Sequence, residues 1–206
     1  MINFLKKRIL RKSFFSFIFN SAQGTPFREE TYQINGEETK IEFFTLEQSK
    51  YNFDFLEMKQ YIVWSFLDNH YRVFVYEPYY QKFEVLYQKE INIIYISFLE
   101  ELFLKKRSET IKKNIIFSFL LFVFSLFYFL GSFRENFLFY LFFIIFFIIF
   151  FLFLNIKQKK NLEKNKKELF QKMIKKVKLF LGKKTFNDVS EKQKEYFYSL
   201  QIKKEE

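Results

Sequence analysis

His70 is the only histidine in the chain, and it sits beside Asp68 and Asn69. An imidazole next to a carboxylate can act as a general base only with a nucleophile or a held water in reach. No GxSxG or similar motif accompanies it, so His70 reads as a loop histidine between a helix and a strand. The pairs Glu29/Glu30 and Glu37/Glu38 could hold a cation, but adjacent glutamates in polar stretches read as solvated surface. Trp64, Tyr79 and Tyr80 could form an aromatic recognition surface, and in so aromatic a chain they read as core. Ser118, Ser125 and Ser132 recur every seven residues, with Tyr128 near the same helical face. That stripe could line a pore. The reading adopted is helix packing, because small residues let backbones approach closely.

The remaining chemistry is bounded by what is missing. There is no cysteine, which excludes disulfides, thiolate zinc sites, iron–sulfur clusters and cysteine nucleophiles. A single histidine excludes a multi-histidine metal or haem site within this chain. Four glycines supply neither GxGxxG nor GxxxxGK[ST], so no phosphate-cradling loop is present. No catalytic residue, metal ligand or cofactor is expected.

The elements that would position these residues follow from charge and periodicity. The net charge of +11 is unevenly placed: +5 over residues 1–19, −7 over 20–104, +4 over 105–113, zero over 114–156 and +9 over 157–206. Residues 114–133 and 137–156 carry no charge, and each would span about 30 Å as a helix. The expectation is a transmembrane hairpin turning at Arg134-Glu135-Asn136, within a segment covering 109–156. Lys105, Lys106 and Arg107 precede it, and Lys157, Lys159 and Lys160 follow it. The positive-inside rule then puts both termini on the matrix or cytoplasmic side. Residues 1–22 read as a basic amphipathic helix on a membrane surface, with Lys6, Lys7, Arg8 and Arg11 toward lipid headgroups.

Residues 23–108 read as an acidic α+β domain. Asn35-Gly36 between two extended runs signals a hairpin. Thr45–Gln48 resembles a capping box opening a helix through Tyr51, Phe55, Met58, Ile62 and Phe66, which Asp68-Asn69-His70 ends. Residues 71–88 read as two strands joined through Glu77-Pro78-Tyr79-Tyr80. Residues 91–98 read as a third strand or a helix start, and the sheet is expected to be antiparallel with one helix packed on it. Residues 157–206 read as a basic amphipathic helix with apolar Leu162, Leu169, Met173 and Val177. Gly182 closes it, and a short helix and charged tail follow.

The fold class is thus an α+β membrane protein: a small α+β domain, a two-helix transmembrane hairpin and a basic amphipathic C-terminal helix. The Phe- and Lys-rich, Gly- and Pro-poor composition is similar to that of proteins encoded in very AT-rich organelle genomes. The expected function is a non-catalytic integral membrane subunit of a larger complex, favouring an energy-transducing complex of the mitochondrial inner membrane. The alternatives are a membrane-anchored binding or regulatory module in an AT-rich bacterium, and a small oligomeric pore. Expected partners are the lipid bilayer, its headgroups at the basic flanks and other complex subunits, with no nucleic acid.

Overall fold

The computed structural model describes residues 16–34, 36–50, 61–129 and 137–205, with backbone alone at 16–17, 127–129, 137–141, 143 and 200–205. The N-terminal basic residues Lys6, Lys7, Arg8 and Arg11, the link 134–136, Ser132 and Tyr51–Met58 of the expected helix lie outside the described residues. The chain divides into two compact units, one of Met1–Ile94 with Lys176–Glu206 and one of Tyr95–Lys175.

In the first unit, a helical turn α1 (Ser16–Phe19) precedes strands β1 (Arg28–Ile34), β2 (Glu37–Thr45), β3 (Ile62–Leu67) and β4 (His70–Val75). Ile34 pairs with Glu37, and Gly36 takes φ +78, as the Asn-Gly hairpin signal requires. Asp68 (φ 52) turns β3 into β4 in the same way, with Leu67 opposite His70. The strand order is β1-β2-β4-β3, and β2 runs parallel to β4, so the sheet is mixed rather than antiparallel.

Two sequence expectations fail here for identifiable reasons. Thr45–Gln48 does form a capping box, with the Thr45 amide donating to Gln48 Oε1 at 2.9 Å, but it opens only a single tight turn over Leu46–Gln48. Ile62 and Phe66, expected on that helix, lie in β3, where the β-branched and aromatic run Ile62–Leu67 favours pairing with β4. The link expected at Glu77–Tyr80 is instead most of a helix, α2 (Glu77–Lys82), and the second strand expected after it is the end of α2 and a tight turn over Glu84–Tyr87. Pro78 falls in the first turn of α2, where a missing N–H costs nothing.

The two central strands carry buried rings on both faces. Phe44 stacks on Phe74 at 5.6 Å, and Ile18 and Leu46 complete that cluster. On the opposite face, Phe43 meets Tyr80 and Tyr87 at 6.3 and 6.2 Å. Each fully buried ring contributes roughly 1.5–3 kcal/mol.

Three long helices follow: α3 (Lys89–Phe129), α4 (Phe137–Leu181) and α5 (Lys183–Glu205). Gly182 separates the last two at φ +77, as its place after the basic amphipathic run predicts. Helix α5 is longer than the short helix expected. Within the first unit it packs through rings: Phe197 stacks on Tyr61 at 4.7 Å, and Tyr196 meets Phe83 edge-on at 5.7 Å. Gln193 donates to the Tyr79 hydroxyl, and burial pushes that phenol up to about 12. Tyr79 is therefore core, and Tyr80 is occupied as well.

In the second unit, α3 and α4 pack antiparallel. Phe117 meets Phe151 at 5.3 Å, Phe124 meets Phe147 at 5.5 Å and Phe98 meets Phe170 at 6.3 Å. Lys113 donates to Asn155 at 3.0 Å, and Gln158 donates to Thr110 at 2.9 Å. One number falls as its partner rises, as antiparallel packing requires. Leu154, Leu169 and Met173 are buried on α4, fifteen and then four residues apart, spacings that keep them on one side of the helix.

Among the described residues, no helix is long and apolar enough to cross a membrane. This corrects the fold class of an α+β membrane protein with a transmembrane hairpin. It also corrects the integral-membrane placement in a mitochondrial inner or bacterial plasma membrane, with its assigned sidedness. What stands is an antiparallel helix pair.

Candidate functional site

Three groupings of side chains could carry function. The first is a charged knot on β2 and β4. Alternation puts Lys40 and Glu42 on one face of β2, and the parallel register sets them opposite His70 and Arg72. Glu42 is buried, with its side chain 8% exposed. It receives Lys40 at 2.7 Å and Arg72 Nε at 2.8 Å. His70 Nε2 lies 2.9 Å from the same carboxylate but is not aligned for a hydrogen bond. Arg72 also donates to the Phe19 carbonyl at 2.8 Å and lies over the Phe19 ring at 4.2 Å. The Phe19 ring meets His70 edge-on at 4.9 Å.

The electrostatics follow from these contacts. Burial would raise the Glu42 pKa, yet hydrogen bonds from Lys40 and Arg72, with His70 nearby, hold it below its ordinary range. Burial lowers His70, against the raising pull of Glu42. Both folded-state pKa values are therefore depressed. Each group stabilises the fold above its ordinary pKa, and that contribution is lost as pH falls through the folded value. The urea midpoint should fall as pH drops from about 6.5, the ordinary histidine value, with a further fall below the ordinary carboxylate range. His70→Gln should remove the upper part of that fall. A midpoint that is flat or rising from pH 7 to pH 4 would refute this account.

The second grouping joins β1 to the start of α3. Arg28 pairs with Glu30 and donates to the Tyr80 hydroxyl at 2.6 Å and the Tyr87 carbonyl at 3.0 Å. Tyr32 donates to Glu30, and buried Asn92 donates to the Tyr87 carbonyl at 2.9 Å and to Glu30 at 3.3 Å. Three of the four glutamates considered as cation ligands are thus engaged: Glu30 by Arg28 and Asn92, Glu29 by Lys40 at 3.1 Å, and Glu37 by Asn69 at 2.9 Å. Both groupings are polar ties between elements.

The third is the outer surface of the α3–α4 pair. Ile115, Phe119, Phe122 and Leu126 on α3 are 63, 65, 59 and 46% exposed. On α4, Phe142, Ile145, Ile149, Leu152 and Ile156 are likewise exposed. Ser118 is exposed among these residues, and Ser125 donates to the Phe122 carbonyl at 2.7 Å. The seam between the two helices instead runs through Lys113, Phe117 and Phe124. Lys157, Lys159 and Lys160 are exposed at the basic end of α4, as is Lys106 on α3, with Lys105 and Arg107 half-buried. Glu109 lies at the same end, and the Asn161 amide and Lys112 hold its carboxyl below the ordinary range.

No protein-family model, curated protein or solved structure matches this chain. The sequence reading missed Glu42, Lys40 and Arg72. Their signal was charged or titratable side chains at two-residue steps, Lys40-Ile41-Glu42 on one strand and His70-Tyr71-Arg72 on the other. It becomes meaningful only once β2 and β4 are neighbours.

Proposed function

We propose that the chain is a non-catalytic structural subunit that helps to hold a larger multisubunit complex together. The observation that carries this reading is the exposed apolar surface of α3 and α4. Each half-exposed Phe or Ile leaves on the order of 100 Å² of apolar area in contact with solvent. A few of them together exceed the ~300–600 Å² of the largest patch on a typical monomer. Such a surface is stable in the cell only when something covers it. The two polar groupings of the first unit support the reading in another way, because their side chains are spent on one another.

Native electrophoresis after extraction in mild detergent, with mass spectrometry of co-migrating chains, tests it. The expected result is a stable particle holding this chain and at least one other protein in fixed ratio. A monodisperse chain migrating alone, or with lipid and detergent only, overturns the reading.

A further inference from the structure

Seven exposed or half-exposed residues of α3 form one ridge at alternating steps of three and four: Lys105, Ser108, Lys112, Ile115, Phe119, Phe122 and Leu126. Those steps keep side chains in register along one side of a helix, in the spacing that accepts a second helix. The ridge lies two residues on from Lys113, Phe117 and Phe124, which face α4. Two residues are about 200° of helical turn, so the ridge occupies the side of α3 away from α4. Its chemistry changes midway. The first two turns are basic: Glu109 pairs with Lys112 at 3.0 Å, yet residues 105–113 still carry +4. The next three turns are apolar, with Ser118 and Ser125 beside the bulky residues to admit a close backbone.

From this we infer that the ridge binds one helix of a different protein chain, over about 30 Å, apolar against Ile115–Leu126 and acidic against Lys105 and Lys112. The inference rests on the structural-subunit reading and specifies its partner. Charge excludes the simplest alternative occupant. A second copy packed in parallel would set Lys105 and Lys112 against their own counterparts. Packed antiparallel, it would lay those lysines over the other copy's phenylalanines. Opposite charges across the basic turns fix both register and partner choice.

The test places the photo-crosslinking amino acid p-benzoylphenylalanine at Phe119 or at Ser108 in the full chain, in its native cells, and sequences the crosslinked peptides. Both positions should capture the same foreign polypeptide. The two captured sites should lie about eleven residues apart, with Asp or Glu around the site captured from Ser108. A K105E/K112E chain should lose the Phe119 crosslink by at least about tenfold, while K105R/K112R keeps it. Capture of a foreign protein from Phe119 but of nothing, or of a different chain, from Ser108 overturns the helix inference and leaves the structural-subunit reading standing. Capture of this same chain overturns the foreign helix. Adducts with lipid or detergent alone overturn both.

Discussion

Glu42→Ala should cost about 3 kcal/mol of folding free energy, the range for breaking a buried ion pair by removing one partner. The carboxylate is buried, and Arg72 and His70 keep only 24 and 30% of their side-chain surface exposed. Without Glu42, the Arg72 guanidinium retains the Phe19 carbonyl and ring but loses its counter-charge. Lys40 is the comparison within the same knot. Its ammonium is open to solvent, so Lys40→Ala should change stability little, as exposed ion pairs do. The double variant Glu42→Ala/Arg72→Met should recover part of the loss, because it removes the stranded charge as well. Equilibrium urea unfolding of the four chains, followed by circular dichroism, reads all of this. A Glu42→Ala chain within about 0.5 kcal/mol of the parent would show that the knot is decorative.

The apolar ridge carries the second large expectation. Phe119→Ala and Phe122→Ala should each weaken partner association by roughly 2 kcal/mol, about 30-fold, if they sit at the centre of the interface. Neither should shift the stability of the isolated chain by more than about 0.5 kcal/mol, because both rings are exposed. Phe117→Ala is the opposite case. Its ring packs between Phe147 and Phe151, so its loss should loosen the helix pair itself. Quantitative recovery of the native particle, set beside thermal melts of the purified chain, separates the two. Equal losses of partner and of stability at Phe119 would mean that this ring belongs to the internal packing.

Local signals in the sequence were legible where the chain decides structure locally. Asn35-Gly36 fixed the first hairpin, Gly182 marked the break between the last two helices, and the paired apolar runs pointed to antiparallel helices. The failures came where neighbours decide. Ile62 and Phe66 fit a helical period and a strand equally well, and only pairing with β4 selects the strand. Pro78 was read as a link between strands although it suits a helix's first turn equally. The mixed sheet was invisible for a further reason: β2 and β4 are neighbours through a crossover, which leaves no mark on either strand. Apolar length was over-read as a bilayer span, whereas the same run of rings also serves helix-on-helix packing.

The first unit is assembled from both ends of the described chain: Tyr61, Tyr79 and Phe83 meet Tyr196 and Phe197, with the whole α3–α4 pair inserted between them. On the ribosome the sheet emerges long before its last covering helix has been translated. A nascent chain therefore exposes an uncovered aromatic face throughout synthesis of the insertion, when chaperones can engage it. Closure must await the return of α5, and the loop to be closed exceeds a hundred residues, a long-range contact of the kind that slows folding. The antiparallel pairing of α3 and α4 shortens that search, because it brings residues near 98 and 170 together beforehand. The order of assembly is thus helix pair first and aromatic closure last.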